Sequence, residues 1–214
     1  MPGIRAGRVA TTLAVGLVGA SLAVAGGAVE GLERWLSTTS DLECRFDQRL
    51  ISSALGADAR ESGVLYVARP GKLRWDYLDP ERKTVLVDGD RTVLYVREDE
   101  QWIRGRLSEE QGILPELLAG RRPLGDLFVA TEVASGGERG RARVRLVPRR
   151  APEGLEEILL TVTEGDHAIE RAEVRDGAGN RVEYRFSRLK RNRGLDEGLF
   201  ALDPPPGVEV LGEH

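Results

Sequence analysis

Few residues of this chain could carry out covalent chemistry. Its 214 residues hold one cysteine, Cys44, and two histidines, His167 and His214. Neither histidine has the carboxylate and nucleophile neighbours that a catalytic triad needs. A single cysteine excludes a disulfide framework, and the usual Cys/His zinc spacings are missing. Beyond the N-terminal stretch there is no G-x-S-x-G, no G-x-G-x-x-G and no Walker A run. Asp88-Gly89-Asp90 lacks the downstream acids of a calcium loop and reads as a turn. Asp76 and Asp79 are two acids a secreted hydrolase could pair, but they sit at a strand end, where exposed charge is ordinary. The run Arg188, Lys190, Arg191 and Arg193 is the one basic cluster. Such a run is usually a solvated face, and it could also meet anionic headgroups or an acidic partner protein. With 31 basic against 35 acidic residues, the net charge of −4 argues against a general nucleic-acid binder. Any chemistry would have to come from carboxylates, Ser/Thr or Lys, and the inventory calls for no catalytic residue, metal or cofactor.

The elements that would position any site begin after a leader. Residues 1–8 carry Arg5 and Arg8 and no acid, and Val9 to Ala25 carry no charge. Ala23-Val24-Ala25 has the form of an A-x-A cleavage site, so residues 1–25 read as a secretory signal peptide. An uncleaved anchor is the alternative, since the apolar stretch is long. Removing the leader leaves 29 basic and 35 acidic residues in a soluble, exported chain of 26–214. No cysteine follows the apolar run, so the chain is not itself expected to be lipid-anchored. An apolar share of 41% with 31% charged residues is globular composition, and the length suffices for a real core.

Past the leader, one helix is followed mostly by strands. Val29, Leu32, Trp35 and Leu36 fall on one helical face. Leu42, Cys44 and Phe46 alternate with charged residues, as do Leu73, Trp75 and Tyr77, then Ala142, Val144 and Leu146, then Val182, Tyr184 and Phe186. Thr84 to Val96 turns at Asp88-Gly89-Asp90, and Glu170 to Asn180 turns at Asp176-Gly177. The spacing predicts a meandering antiparallel sheet. Ser108 to Gln111 has the form of a capping box, and Pro115 fits the first turn of a second short helix carrying Leu114, Leu117 and Leu118, closed by Gly120. Leu124, Leu127 and Phe128 make a third short apolar turn. Pieces this short must lie on something, and the concave apolar face of the sheet is the natural surface. Composition leaves open whether that face is a filled core or a cavity.

These features, in order, resemble the LolA family of periplasmic carriers of outer-membrane lipoproteins. Phe46-Asp47-Gln48 is similar to the family's F-x-Q strand, and Arg69-Pro70-Gly71-Lys72-Leu73-Arg74-Trp75 to its R-P-x-x-(F/L)-x-W stretch, followed by Tyr77 and Pro80. Asp88-Gly89 resembles its hairpin turn, and Pro115 to Phe128 its lid. Asp176-x-x-Gly179-Asn180, Tyr184-x-Phe186-Ser187 and Pro204-Pro205-Pro206-Gly207-Val208 resemble its late hairpin and closing segment. Each match alone is weak; their order across the chain is specific.

The resemblance implies a mainly β, single-domain α+β fold, an unclosed antiparallel barrel whose concave apolar face is covered by a lid of short helices. It implies a carrier, not an enzyme. Its partners would be acylated lipoprotein cargo and an inner-membrane lipoprotein-releasing ABC transporter, with an outer-membrane acceptor lipoprotein left open, and the chain itself would be a monomer in the periplasm. An exposed long acyl chain costs on the order of 10 kcal/mol in water, so unaided transfer is negligible. Arg69 matches the arginine implied to latch the lid by bonding lid carbonyls; without the motif it would merely mark a strand start before a proline. Leu65, Leu73, Trp75, Tyr77 and Leu94 are candidate acyl contacts, and Leu114, Leu117, Leu118 and Phe128 candidate lid-lining residues. Any of them could equally be ordinary core, and Phe46 and Phe186 read as sheet core. A carrier of free lipid or glycolipid, or an envelope-stress sensor, would need the same face.

Overall fold

The computed structural model describes residues 27–52, 58–107, 109–150, 155–201 and 203–212. The expected signal peptide, the capping residue Ser108 and His214 lie outside them. α1 (Ala28–Thr38) precedes β1 (Asp41–Ile51), β2 (Asp58–Ala68), β3 (Lys72–Asp79), β4 (Lys83–Asp88), β5 (Arg91–Val96) and β6 (Gln101–Arg106). Helices α2 (Glu109–Ala119) and α3 (Leu124–Leu127) come next, before β7 (Phe128–Val133), β8 (Arg141–Pro148), β9 (Leu155–Thr163), β10 (Ile169–Asp176) and β11 (Arg181–Arg191). A 3₁₀ turn at Glu197–Phe200 and a short β12 (Glu209–Gly212) close the chain.

All 12 strands form one sheet, in the order β12-β6-β5-β4-β3-β2-β1-β11-β10-β9-β8-β7. Every neighbouring pair is antiparallel except β12, which runs parallel to β6. The sheet is open, with β12 and β7 as its margins. The register continues one apolar face across it: Cys44 pairs with Leu65, Leu65 with Trp75, Trp75 with Val85 and Val85 with Leu94. On the other side Phe46 pairs with Phe186, Ala172 with Leu160, and Leu160 with Val144. The rings of Trp75 on β3 and Tyr184 on β11 meet at 5.6 Å although two strands separate them, so this face is concave. All three helices pack into it, and the buried side chains of sheet and helices form one continuous cluster. Because β6 lies next to the β12 margin and β7 forms the opposite one, the segment joining them must cross the concave face. That path makes it a cover.

Two expectations are corrected. The capping-box segment and the Pro115 segment are a single helix, Glu109–Ala119, with Pro115 in its interior. Proline removes one internal hydrogen bond, but burial of Leu114, Leu117 and Leu118 on either side of it keeps the helix continuous. Phe128 opens a strand instead of ending a lid helix, and it is fully buried there.

A second core lies on the convex side. Leu86, Val93 and Trp102 are buried there, packed with Tyr95 and Val208. The 3₁₀ turn packs against β3 and β4 and buries Phe200, while the Arg74 guanidinium donates to the Leu199 carbonyl at 3.0 Å. Further along the same face Glu157 is buried between Arg145 and Arg175. α1 is seated by a close approach: a Cβ on Gly31 would lie 2.1 Å from the His167 ring, so only glycine lets that ring lie against the helix.

The central strands are fastened at one end by Asp41. Its carboxylate accepts from the backbone N–H of Arg193 at 2.8 Å and of Gly194 at 3.1 Å, and from the Ser40 hydroxyl at 3.1 Å. Burial alone would raise its pKa, but these donors outweigh it and hold the carboxyl below the ordinary 3.8. A depressed carboxylate adds stability above the unfolded-state value and loses it as pH falls through the folded one. Asp41→Asn should therefore melt below the native protein at pH 7, with the gap narrowing below about pH 3.8. Thermal melts of both proteins across pH 2–7 check this; a pH-independent gap would assign Asp41 a role other than ionic.

Candidate functional site

The apolar face and its cover form the candidate site. Leu65 and Leu73 are fully buried beneath the helices and Trp75 nearly so. Tyr77 is half-buried and donates from its hydroxyl to Gln48 Oε1 at 3.1 Å. Burial, with Tyr184 and Glu61 nearby, pushes the Tyr77 hydroxyl well above the usual phenol range. Leu94 shares the register row of Trp75 and Val85 but is only half-buried, towards the β6 margin. From the cover, Leu114, Leu117 and Leu118 are all buried in the same cluster as Leu65, Leu73 and Trp75. Phe128 belongs to that cluster from the sheet side. Phe46 and Phe186, read from sequence as sheet core, are also on the concave face. Phe46 meets Trp75 edge-on at 5.9 Å and Tyr77 at 5.1 Å, and Phe186 stacks on Tyr184 at 6.2 Å. The strand positions singled out share one face and the helix positions pack onto it in this closed arrangement, with Leu94 outside the buried cluster.

The cover is held at Arg69. Its Nε donates to the Leu118 carbonyl at 2.9 Å and its Nη1 to the Leu36 carbonyl. Leu36 lies in the last turn of α1 and Leu118 in the last turn of α2, so the guanidinium joins the C-terminal ends of both helices. Those ends have carbonyls without helical partners and carry partial negative charge. Trp35 lies 6.0 Å from the same guanidinium, and Arg191 takes a similar position 5.9 Å from that ring. No carboxylate pairs with Arg69 among the described residues; two helix ends act as its counter-charge. Burial lowers its pKa to about 10, which still leaves it protonated at neutral pH.

Further carbonyls at the two ends also have partners. In α1, Thr39 donates to the Trp35 carbonyl at 2.6 Å and Asn192 to that of Thr38 at 2.9 Å. In α2, the Gly71 N–H reaches the Ala119 carbonyl at 2.9 Å and the Gly120 N–H that of Glu116 at 3.0 Å. Gly120 was legible as a helix stop, but its larger role was not. It adopts φ +63, and a Cβ there would stand 2.9 Å from Arg69 Cδ, so glycine makes room for the guanidinium stem. Beside this junction a surface groove of about 840 Å³, lined by Leu36, Ser40, Arg69, Leu117, Gly120 and Pro123 among others, gives access to the latch from solvent.

The other singled-out groups take structural positions. Cys44 is buried and its thiol is pushed up to about 12 by burial. Asp76 is held by Arg74 at 2.8 Å and by the Thr84 hydroxyl at 2.7 Å. Asp79 stands exposed beyond a β-bulge at the end of the same strand and lines a different surface hollow from Asp76, so the two carboxylates do not share one site. The basic run is not one surface: Lys190 pairs with Glu43 at 2.8 Å, Arg191 turns to Trp35, and Arg188 is exposed with φ +54.

An open β-sheet whose apolar hollow is filled by its own latched helices defines the class of fold, a curved sheet with a helical cover over one apolar face. The chain belongs to the LolA family: the family model described as "Outer membrane lipoprotein carrier protein LolA" matches residues 37–203. The outer-membrane lipoprotein carrier protein of Dechloromonas aromatica is 31% identical over 188 residues, covering 87% of this chain and 88% of that one. That of Methylococcus capsulatus is 31% identical over 181 residues, covering 84% and 85%. Among solved structures, an uncharacterized conserved protein from Thermus thermophilus superposes with a TM-score of 0.53 at 12% identity, covering 86% of this chain and 96% of that one, and so shares the fold.

The Arg69 junction makes Gly120 its most exacting neighbour. Gly120→Ala should destabilise the protein by about 1–2 kcal/mol through the left-handed backbone and the clash. In a domain of this size that lowers the melting temperature by roughly 2–8 °C. The loss should shrink when Arg69 is also changed to Ala, which calorimetry of the two single variants and the double variant would show.

Proposed function

We propose that this protein takes acylated lipoproteins leaving the inner membrane, shelters their acyl chains on its concave face, and delivers them to the outer membrane. The observation that carries this reading is the Arg69 junction over a continuous apolar face. A permanent core needs no cover held by one buried cation between two helix ends. A releasable cover does. Family membership supports the cargo class and the periplasm as the place of work. The charge-free run Val9 to Ala25 supports export by a leader cleaved after residue 25. The donor would be the inner-membrane lipoprotein-releasing ABC transporter, and the acceptor an outer-membrane lipoprotein or the membrane itself.

The energetics follow from competition. Acyl chains reach Leu65, Leu73 and Trp75 only by displacing Leu114, Leu117 and Leu118, so net affinity falls below what the buried apolar area alone would give. Arg69 adds to the closed empty state and so favours unloading. Its absence would leave the Leu36 and Leu118 carbonyls unpaired in the closed form and the loaded form comparatively favoured. Mature protein incubated with inner-membrane vesicles, ATP and a labelled lipoprotein should hold label in a soluble, stoichiometric, ATP-dependent complex. Arg69→Leu should still capture label but pass it to outer membranes at least about tenfold more slowly. Unchanged transfer in that variant removes the latch role. Absence of any soluble complex, with ordinary phospholipid extractable from the protein, would instead favour the free-lipid carrier.

A further inference from the structure

Trp75 stands out on the concave face for what it leaves undone. It is only 4% exposed, yet its indole N–H meets no acceptor among the described residues. Its neighbours are apolar on every side that the register defines: Leu65 and Val85 flank it on adjacent strands, and Phe46 and Tyr184 enclose its ring. Two residues further along the same face, the Tyr77 hydroxyl is satisfied by Gln48. A buried donor without a partner is expensive to keep. Phenylalanine would supply the same kind of apolar wall without that donor. Trp102 also has an unpaired indole N–H, but it lies in the separate convex cluster beside Val208, remote from the cover.

Resting on the carrier reading, we infer that Trp75 is a specificity residue whose indole N–H receives a fatty-acyl ester carbonyl when cargo occupies the concave face. An acyl chain that enters there brings one obligatory polar atom, the carbonyl oxygen at its head. That oxygen would itself be desolvated among Leu65, Val85 and the aromatic rings, and the only partner it needs is one N–H. The empty protein carries the unpaired donor and the loaded protein does not, so the bond acts wholly as a difference between the two states. It selects esterified chains over hydrocarbon alone and fixes the depth to which a chain inserts. Glyceryl esters of a lipidated cysteine and of a phospholipid share this chemistry.

The chain has three tryptophans, so an ¹⁵N-labelled sample shows three indole N–H signals, and Trp75→Phe identifies the one that matters. The probes are a dipalmitoyl-glyceryl cysteine peptide, its dihexadecyl ether counterpart, and dipalmitoyl phosphatidylglycerol. The Trp75 signal should move downfield with the ester peptide and not with the ether. Wild-type protein should bind the ester peptide roughly 5- to 20-fold more tightly than the ether. Trp75→Phe should abolish that preference, whereas Trp102→Phe should retain it. A downfield shift with the phospholipid supports the same donor and names free lipid as a source of the carbonyl. Equal binding of ester and ether by wild-type protein, or a preference that survives Trp75→Phe, overturns the inference and leaves the carrier reading standing. Binding of none of the three overturns both.

Discussion

The arrangement of the lid depends on a cation lodged between two helix ends. A guanidinium taken out of water normally requires a carboxylate, and the Arg69 side chain has none among the described residues. What compensates it is geometric: the carbonyls of Leu36 and Leu118 converge only when α1 and α2 both lie down on the sheet. The contact is therefore conditional. A carboxylate partner would hold the arginine whatever the helices did, whereas helix termini hold it only in the closed arrangement. Gly120 supplies the space, Gly71 and Thr39 satisfy the carbonyls the arginine cannot reach, and Trp35 faces the cation. The Arg69 and Gly71 contacts join α2 to the sheet, whereas Thr39 completes α1 locally.

The sheet beneath has no comparable freedom. Its convex side is tied by Glu157 between Arg145 and Arg175, and by the Leu86–Val93–Trp102 cluster under the C-terminal segment. Asp41 fastens the start of β1 to the turn after β11, in the middle of the strand order. Surface ion pairs contribute little singly, but Glu157 is buried and accepts from two arginines. A stiff, doubly covered sheet with a cover tied at one junction separates the part that must keep its shape from the part that must move.

Much of this was readable before any coordinates. Leu73–Trp75–Tyr77 and Ala142–Val144–Leu146 alternate because one face meets a core and the other meets water, and period two records that. β9 escaped notice because Ile158 to Val162 are buried on both faces, which leaves a continuous apolar run with no period. Leu86 and Val93 of the convex cluster are hidden for the same reason within Thr84 to Val96. Pro115 suggested a break that burial of its neighbours overrode. β12 is four residues long and pairs in parallel with a strand far away in the chain, which no local pattern encodes. Arg69 could be found through the motif around it. Its two acceptors could not, since a carbonyl's position is a property of packing and not of residue type. The unpaired indole of Trp75 is similarly invisible until its surroundings are known.

The segment that covers the concave face is anchored at both ends, leaving β6 beside one margin and entering β7 at the other. It is thus a competitor that cannot diffuse away. When displaced, Leu114, Leu117 and Leu118 remain at an effective concentration set by the tether, on the order of millimolar for a short connection, whatever the concentration of protein in the compartment. Reclosure after unloading is a unimolecular event that needs no partner and no energy source. An empty molecule hides its own greasy surface at any dilution.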